Sequence, residues 1–278
     1  MKIYHLTWST IGRQPAFPAE EVRRLVLHAL AAVAGRDIVL FALVDDHAHI
    51  VVMVEPQRLR RVQGALSKVL NHRSAVPFAA PYVLPVTTRT HMVSLVGYCL
   101  TQFGHHGLPD DPATATGSCF PDLIGARRIP GLTLRIATAL PRFRLREAYE
   151  AVGLAAAVMP ADDAAARGLG PARLVDLLAQ TFAVDPGFAS NATAVVKARR
   201  VGARLAIDVG MRPRDISGPL GVTAIAAARL AARPVDLADL RAVRMRVALD
   251  IAAANPSRAP LVVREPAATP YVLHALPN

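Results

Sequence analysis

Two histidines stand one residue apart in an otherwise apolar run, "DDHAHIVVMVEP", residues 45 to 56. Side chains alternate along a strand, so His47 and His49 project from one face and Ala48 from the other. Neutral imidazole is a common metal ligand, and a site open to substrate needs only one or two further protein groups. The same pair is also compatible with a strand edge carrying one exposed and one hydrogen-bonded histidine. A second stretch, "GYCLTQFGHH", supplies the complementary chemistry. On a helix, Tyr98 and Gln102 are four apart and share a face. Gln102 offers an amide oxygen to a hard divalent ion, and Tyr98 a phenol that can attack phosphorus. The plainer reading is a half-buried aromatic beside a surface amide. Asp46 either orients a neighbouring histidine or forms the turn before it. His91, His105 and His106 are further candidate ligands.

The elements that must position these groups follow from periodicity. "KIYHLTW" alternates like a strand. "PAEEVRRLVLHALAAVAG" opens on Pro18 and two glutamates and closes on Gly35, the signals of a helix. "DIVLFALV" and "HAHIVVMVE" form a hairpin about "DD". A basic helix, "QRLRRVQGALSKVLNHRS", a strand, "YVLPVTT", and a helix, "HMVSLVGYCLTQFGHHG", complete the series. Strand, helix, two strands, helix, strand, helix predicts an α+β, ferredoxin-like antiparallel sheet with helices on one face. In the basic helix, Arg58, Arg60, Arg61, Lys68 and Arg73 either track a DNA backbone or form a solvated face. Trp8 and Phe17 either stack on bases or are buried.

Charge divides the chain. The formal net charge is +11, which favours polyanionic partners. Residues 1 to 125 hold 11 of the 32 Lys and Arg, 9 of the 21 Asp and Glu, and eight of the nine histidines. Their net charge is therefore +2, against +9 for the remainder. The remainder reads as successive amphipathic helices cut by Pro and Gly. Within it, "MRPRDISGPLGVTAIAAARLAA" suits a helix-turn-helix with a turn at Gly218 to Val222, Thr223 as cap, and Arg229 and Arg233 towards phosphates. Bundle packing alone accounts for such a pair equally well. No membrane span or signal peptide is expected, since "MKIYHLTWSTIGRQP" has no apolar core. With only Cys99 and Cys119, a disulfide framework is not expected and a reducing cytoplasm fits.

In combination, "DHAHIVV" and "YCLTQ" make residues 1 to 128 resemble the single-tyrosine HUH transposases, particularly the REP-associated kind. The opening "IYHLTWSTIGRQPAF" and the later "GLPDDPATATGSCFPDLIG" are similar to segments that flank that family's core. Two features depart from its pattern: Ala48 stands where a bulky apolar residue is usual, and Gln102-Phe103 where REP-associated members have Asn-Pro. The resemblance implies Mg²⁺ or Mn²⁺ held by His47, His49 and Gln102. It also implies Tyr98 as nucleophile on single-stranded DNA from a hairpin or repeat flank, a 5′-phosphotyrosine intermediate, and dimers in some members. Residues 172 to 253 resemble the helical duplex-binding domain of the bacterial replication initiator, carried by "KARRVGARLAIDVGMRPRDISGPLG". There "VTAIAAARL" replaces a His-Ser-Thr recognition signature, so the implied contact is with DNA backbone. The expected organisation is a nuclease domain over 1–128, a linker with a helical segment over 129–168, a helical DNA-binding domain over 169–254, and a Pro-rich tail over 255–278. Three other functions share these features: a domesticated DNA-binding protein of the same fold, a metal hydrolase without covalent intermediate, and a basic helical regulator with an inert N-terminal domain.

Overall fold

The computed structural model describes residues 1–255; most of the expected Pro-rich tail, from residue 256, lies outside the described residues. The protein is α+β, with one four-stranded antiparallel sheet among the described residues. Its strands are β1 (Lys2–Ser9), β2 (Ile38–Leu43), β3 (His47–Val54) and β4 (Tyr82–Val86), in the order β2-β3-β1-β4. The first three helices are α1 (Glu20–Ala34), α2 (Leu59–Arg73) and α3 (Arg89–His105). All seven elements read from periodicity in the first part of the chain form. In β1 and β3, Thr7 faces His49 and Trp8 faces Ala48. His5, Thr7, His47 and His49 therefore share one face of the sheet, and Leu6, Trp8, Ala48 and Ile50 the other.

The helices do not all lie on one face. Trp8 Nε1 donates to Ser67 Oγ of α2 at 2.9 Å, which places α2 on the Trp8 face, and α1 packs against α2. Gln102 of α3 reaches His47 on the opposite face. Every residue of β2 and of β3 is accordingly buried, because these strands are covered on both sides. α3 begins at Arg89, where the Thr88 side chain accepts a hydrogen bond from His91 N at 3.1 Å. Trp8 is fully buried and Phe17 nearly so, with the Phe17 ring 5.9 Å from that of Phe78. Both aromatics are core residues, and neither is available to stack on a base.

Among the described residues, nine shorter or later helices follow: α4 (Phe120–Leu123), α5 (Ile136–Ala139), α6 (Leu145–Ala151), α7 (Asp163–Gly168), α8 (Gly170–Phe182), α9 (Thr193–Asp208), α10 (Pro213–Ser217), α11 (Ala224–Ala231) and α12 (Leu237–Ala253). Two hydrophobic cores result. The sheet core takes in Leu140, Tyr149, Val152 and Leu154, so part of the 129–168 stretch is packed against it. The second core is built from α7 to α12 around Phe182, Phe188, Val201 and Leu205. Polar clasps join the two: Arg24 Nη1 donates to Val184 O, Arg128 N to Thr181 O, and Arg246 Nη2 to Thr114 O at 2.8 Å and to Gln180 Oε1. α10 and α11 pack against each other across the turn at Gly218 to Val222, and Thr223 Oγ1 accepts from Ala226 N at 3.2 Å. Among the described residues no helix is long and apolar enough to cross a membrane.

Candidate metal centre and its tyrosine

The histidine face of β1 and β3 meets one stripe of α3. Helical spacing sets His91, Leu95, Tyr98 and Gln102 along that stripe, with His106 capping the helix end. His47, His49 and Gln102 are buried, at 4%, 2% and 1% exposure. His47 Nε2 lies 3.3 Å from Gln102 Oε1. The amide is turned that way because Gln102 Nε2 donates to Tyr98 O, one helical turn back, at 3.2 Å. The Tyr98 ring stands edge-on to His49, with centroids 5.0 Å apart. The structure thus gathers His47, His49, Gln102 and Tyr98 in one place.

Each histidine is held from behind. His47 Nδ1 lies 2.5 Å from Asp46 Oδ1, and an ionised carboxylate only accepts, so Nδ1 carries the hydrogen. Burial by itself would raise the Asp46 pKa. The hydrogen bond and charge of His47, followed by Arg13 at 3.3 Å, outweigh it and hold the carboxyl below its ordinary value. His49 Nδ1 is 3.1 Å from His5 Nε2 and 3.2 Å from Thr7 Oγ1, while His49 Nε2 is buried with no hydrogen-bond partner. Burial, reinforced by His5, His47 and His106, outweighs the opposing influence of the nearby Gln102 amide, which makes no well-formed hydrogen bond to Nε2, and pushes the His49 pKa well down. His5 is likewise lowered to about 4, by burial first and His91 second.

This donor set fits a divalent cation. His47 Nε2 and Gln102 Oε1 lie 3.3 Å apart, a separation that two ligands of one cation can keep. His49 Nε2 is the buried orphan that a third ligand requires. A second group shares His47. Ligand atoms of Asp46, His47 and His106 all lie within 4.8 Å of one another, and the His106 and His47 ring centroids are 4.3 Å apart. His106 itself is largely exposed; the partial loss of water on its packed side, then His47 and His105, lower its pKa.

His5 and Thr7 carry no motif. Alternation within "HLT" gives them a common face, but only the β1–β3 register brings that face against His49. His105 is exposed beside His106, with ring centroids 5.1 Å apart, and His91 acts on the cluster through its charge on His5.

The basic residues of α2 do not line the site. Arg58, Arg60, Arg61, Lys68 and Arg73 are exposed, but α2 covers the opposite face of the sheet, and Arg58 pairs with Asp37 at 3.0 Å. Arg229 and Arg233 are exposed on and just beyond α11. Cys99 and Cys119 are free and buried, with the Cys119 thiol pushed up to about 12 by burial. Comparison with protein-family profiles, curated proteins and solved structures found no match.

Proposed function

We propose that this protein is a metal-dependent tyrosine nuclease and strand transferase acting on single-stranded DNA, a transposase of the single-tyrosine HUH kind. The observation that carries this reading is the meeting of His47, His49 and Gln102 beside the Tyr98 ring, 5.0 Å from His49. The strand order β2-β3-β1-β4, with α1 and α2 together on one face, agrees with a ferredoxin-like core.

His47 Nε2, His49 Nε2 and Gln102 Oε1 would hold Mg²⁺ or Mn²⁺, which when bound polarises a phosphoryl oxygen and orients the phosphodiester. The chain's own groups do the rest. Asp46 and the His5–Thr7 pair hold the two imidazoles by their Nδ1 atoms, which leaves both Nε2 atoms to serve as ligands. Tyr98 Oη gives up its proton and bonds to phosphorus, the phosphorus–O3′ bond breaks, and the departing 3′ oxygen takes up a proton in exchange. The products are a 5′-phosphotyrosine and a free 3′-hydroxyl. The reverse attack by a 3′-hydroxyl rejoins strands, because the energy of the broken ester is kept in the phosphotyrosine. In the second unit, the α10–α11 pair, with Arg229 and Arg233 exposed, would contact the backbone of adjoining duplex.

The test is incubation with end-labelled single-stranded DNA from the flanks of the protein's own gene, with and without Mn²⁺. A denaturing gel is expected to show a protein–DNA adduct that needs the ion and is absent in Tyr98→Phe. Turnover of DNA by Tyr98→Phe at the wild-type rate would refute the covalent mechanism.

A further inference from the structure

His47 is the one residue common to both metal-competent groups. Its Nε2 faces Gln102 Oε1 at 3.3 Å, and its Nδ1 faces Asp46 Oδ1 at 2.5 Å, the carboxylate with which it shares the outer group. An imidazole that remains neutral has one hydrogen for two nitrogens. A cation bound through Nδ1 therefore leaves the hydrogen on Nε2, where it donates to Gln102 Oε1 instead of offering a lone pair to an inner ion.

The outer group differs from the inner one in chemistry and in access. Both groups offer two imidazoles and one oxygen, but the outer oxygen belongs to a carboxylate, and its negative charge makes the outer donor set the stronger one for Zn²⁺. Tetrahedral coordination with bonds of about 2.0–2.1 Å sets ligand atoms about 3.3 Å apart. The Asp46–His47 contact of 2.5 Å must then open by under about 1 Å. His106, whose ligand atom lies within 4.8 Å of the other two, must close by at most about 1.5 Å, and its side chain is exposed. The inner group is buried behind it.

We propose that Asp46, His47 and His106 form a surface-facing site for Zn²⁺ and similar borderline cations, and that filling it excludes a cation from His47, His49 and Gln102. The switch is the position of one hydrogen on the His47 ring. The regulatory meaning of this exclusion rests on the nuclease reading; the existence of the outer site does not.

The test uses the full chain without DNA. Zn²⁺ affinity is measured by calorimetry, and Mn²⁺ binding by the electron paramagnetic resonance signal of free Mn²⁺. The wild type is expected to bind Zn²⁺ at least ten times more tightly than His106→Ala, while both bind Mn²⁺ equally. One equivalent of Zn²⁺ is expected to release Mn²⁺ from the wild type and to leave it on His106→Ala. Equal Zn²⁺ affinity in the two proteins, or wild-type protein holding Zn²⁺ and Mn²⁺ together, overturns the proposal. If thermal melting shows that His106→Ala does not fold, His106→Gln carries the same expectations. His106-dependent Zn²⁺ binding in a chain that forms no DNA adduct would refute the nuclease reading alone. Adduct formation with His106-independent Zn²⁺ binding would refute the outer site alone.

Discussion

Acidification of the metal-free protein should destabilise the sheet domain well above the pH at which carboxylates titrate. His5 is 1% exposed, and burial lowers its pKa from 6.5 to about 4. Between those values the unfolded chain takes up a proton that the native chain refuses. Stability is therefore complete above about pH 6.5, declines as pH falls through that window, and stops declining on this account below about pH 4. At about 1.4 kcal/mol per pH unit, the loss from His5 approaches ~3 kcal/mol. His49, lowered by the same burial, acts in the same direction. Asp46, whose pKa is held below 3.8, titrates outside this window. Trp8 is the chain's single tryptophan and is fully buried in the sheet core, so its fluorescence reports this unit. Urea titrations in EDTA at pH 7, 6, 5 and 4 should show midpoints falling by roughly 1 to 2 M, for a slope of about 2 kcal/mol per M. His5→Asn should flatten that fall. A wild-type midpoint unchanged between pH 7 and 4.5, or a full fall retained in His5→Asn, would show that the ring is not a buried neutral base.

Two further outcomes are expected. Asp46→Ala removes the carboxylate 2.5 Å from His47 Nδ1, and Mn²⁺ affinity measured by calorimetry should drop by about 10- to 100-fold. Gly35→Ala would put a Cβ 2.3 Å from Gly131 O and 2.5 Å from Ala31 O, both backbone atoms, and thermal or urea unfolding should show a loss of about 1–3 kcal/mol. Wild-type stability for that variant would mean that α1 and the Gly131 turn are not held this closely.

The two motif elements were legible because each announces its own period. Alternation in "HAHIVVMV" put both histidines on one face, and four-residue spacing put Tyr98 and Gln102 on one side of α3. What periodicity cannot supply is the partner of a face. An amphipathic stripe says which side of α2 is buried but not which side of the sheet buries it, so the basic helix beside the histidine strand in sequence lies behind it in space. His5 and Thr7 enter the site through strand register, and His106 through the turn that ends α3. Neither signal exists until the chain is folded. For Trp8 and Phe17 burial is the better reading of the sequence than stacking on bases, and packing against α2 and Phe78 makes them core.

The proposed chemistry needs His47 Nε2, His49 Nε2 and Gln102 Oε1 to bind one cation beside Tyr98. The most direct measurement is an anomalous difference map from crystals grown with Mn²⁺. A peak about 2.0–2.3 Å from all three atoms is expected, and it is lost in His49→Ala. A fully occupied Mn²⁺ elsewhere on the chain, with His49 Nε2 facing only protein atoms, would contradict that chemistry.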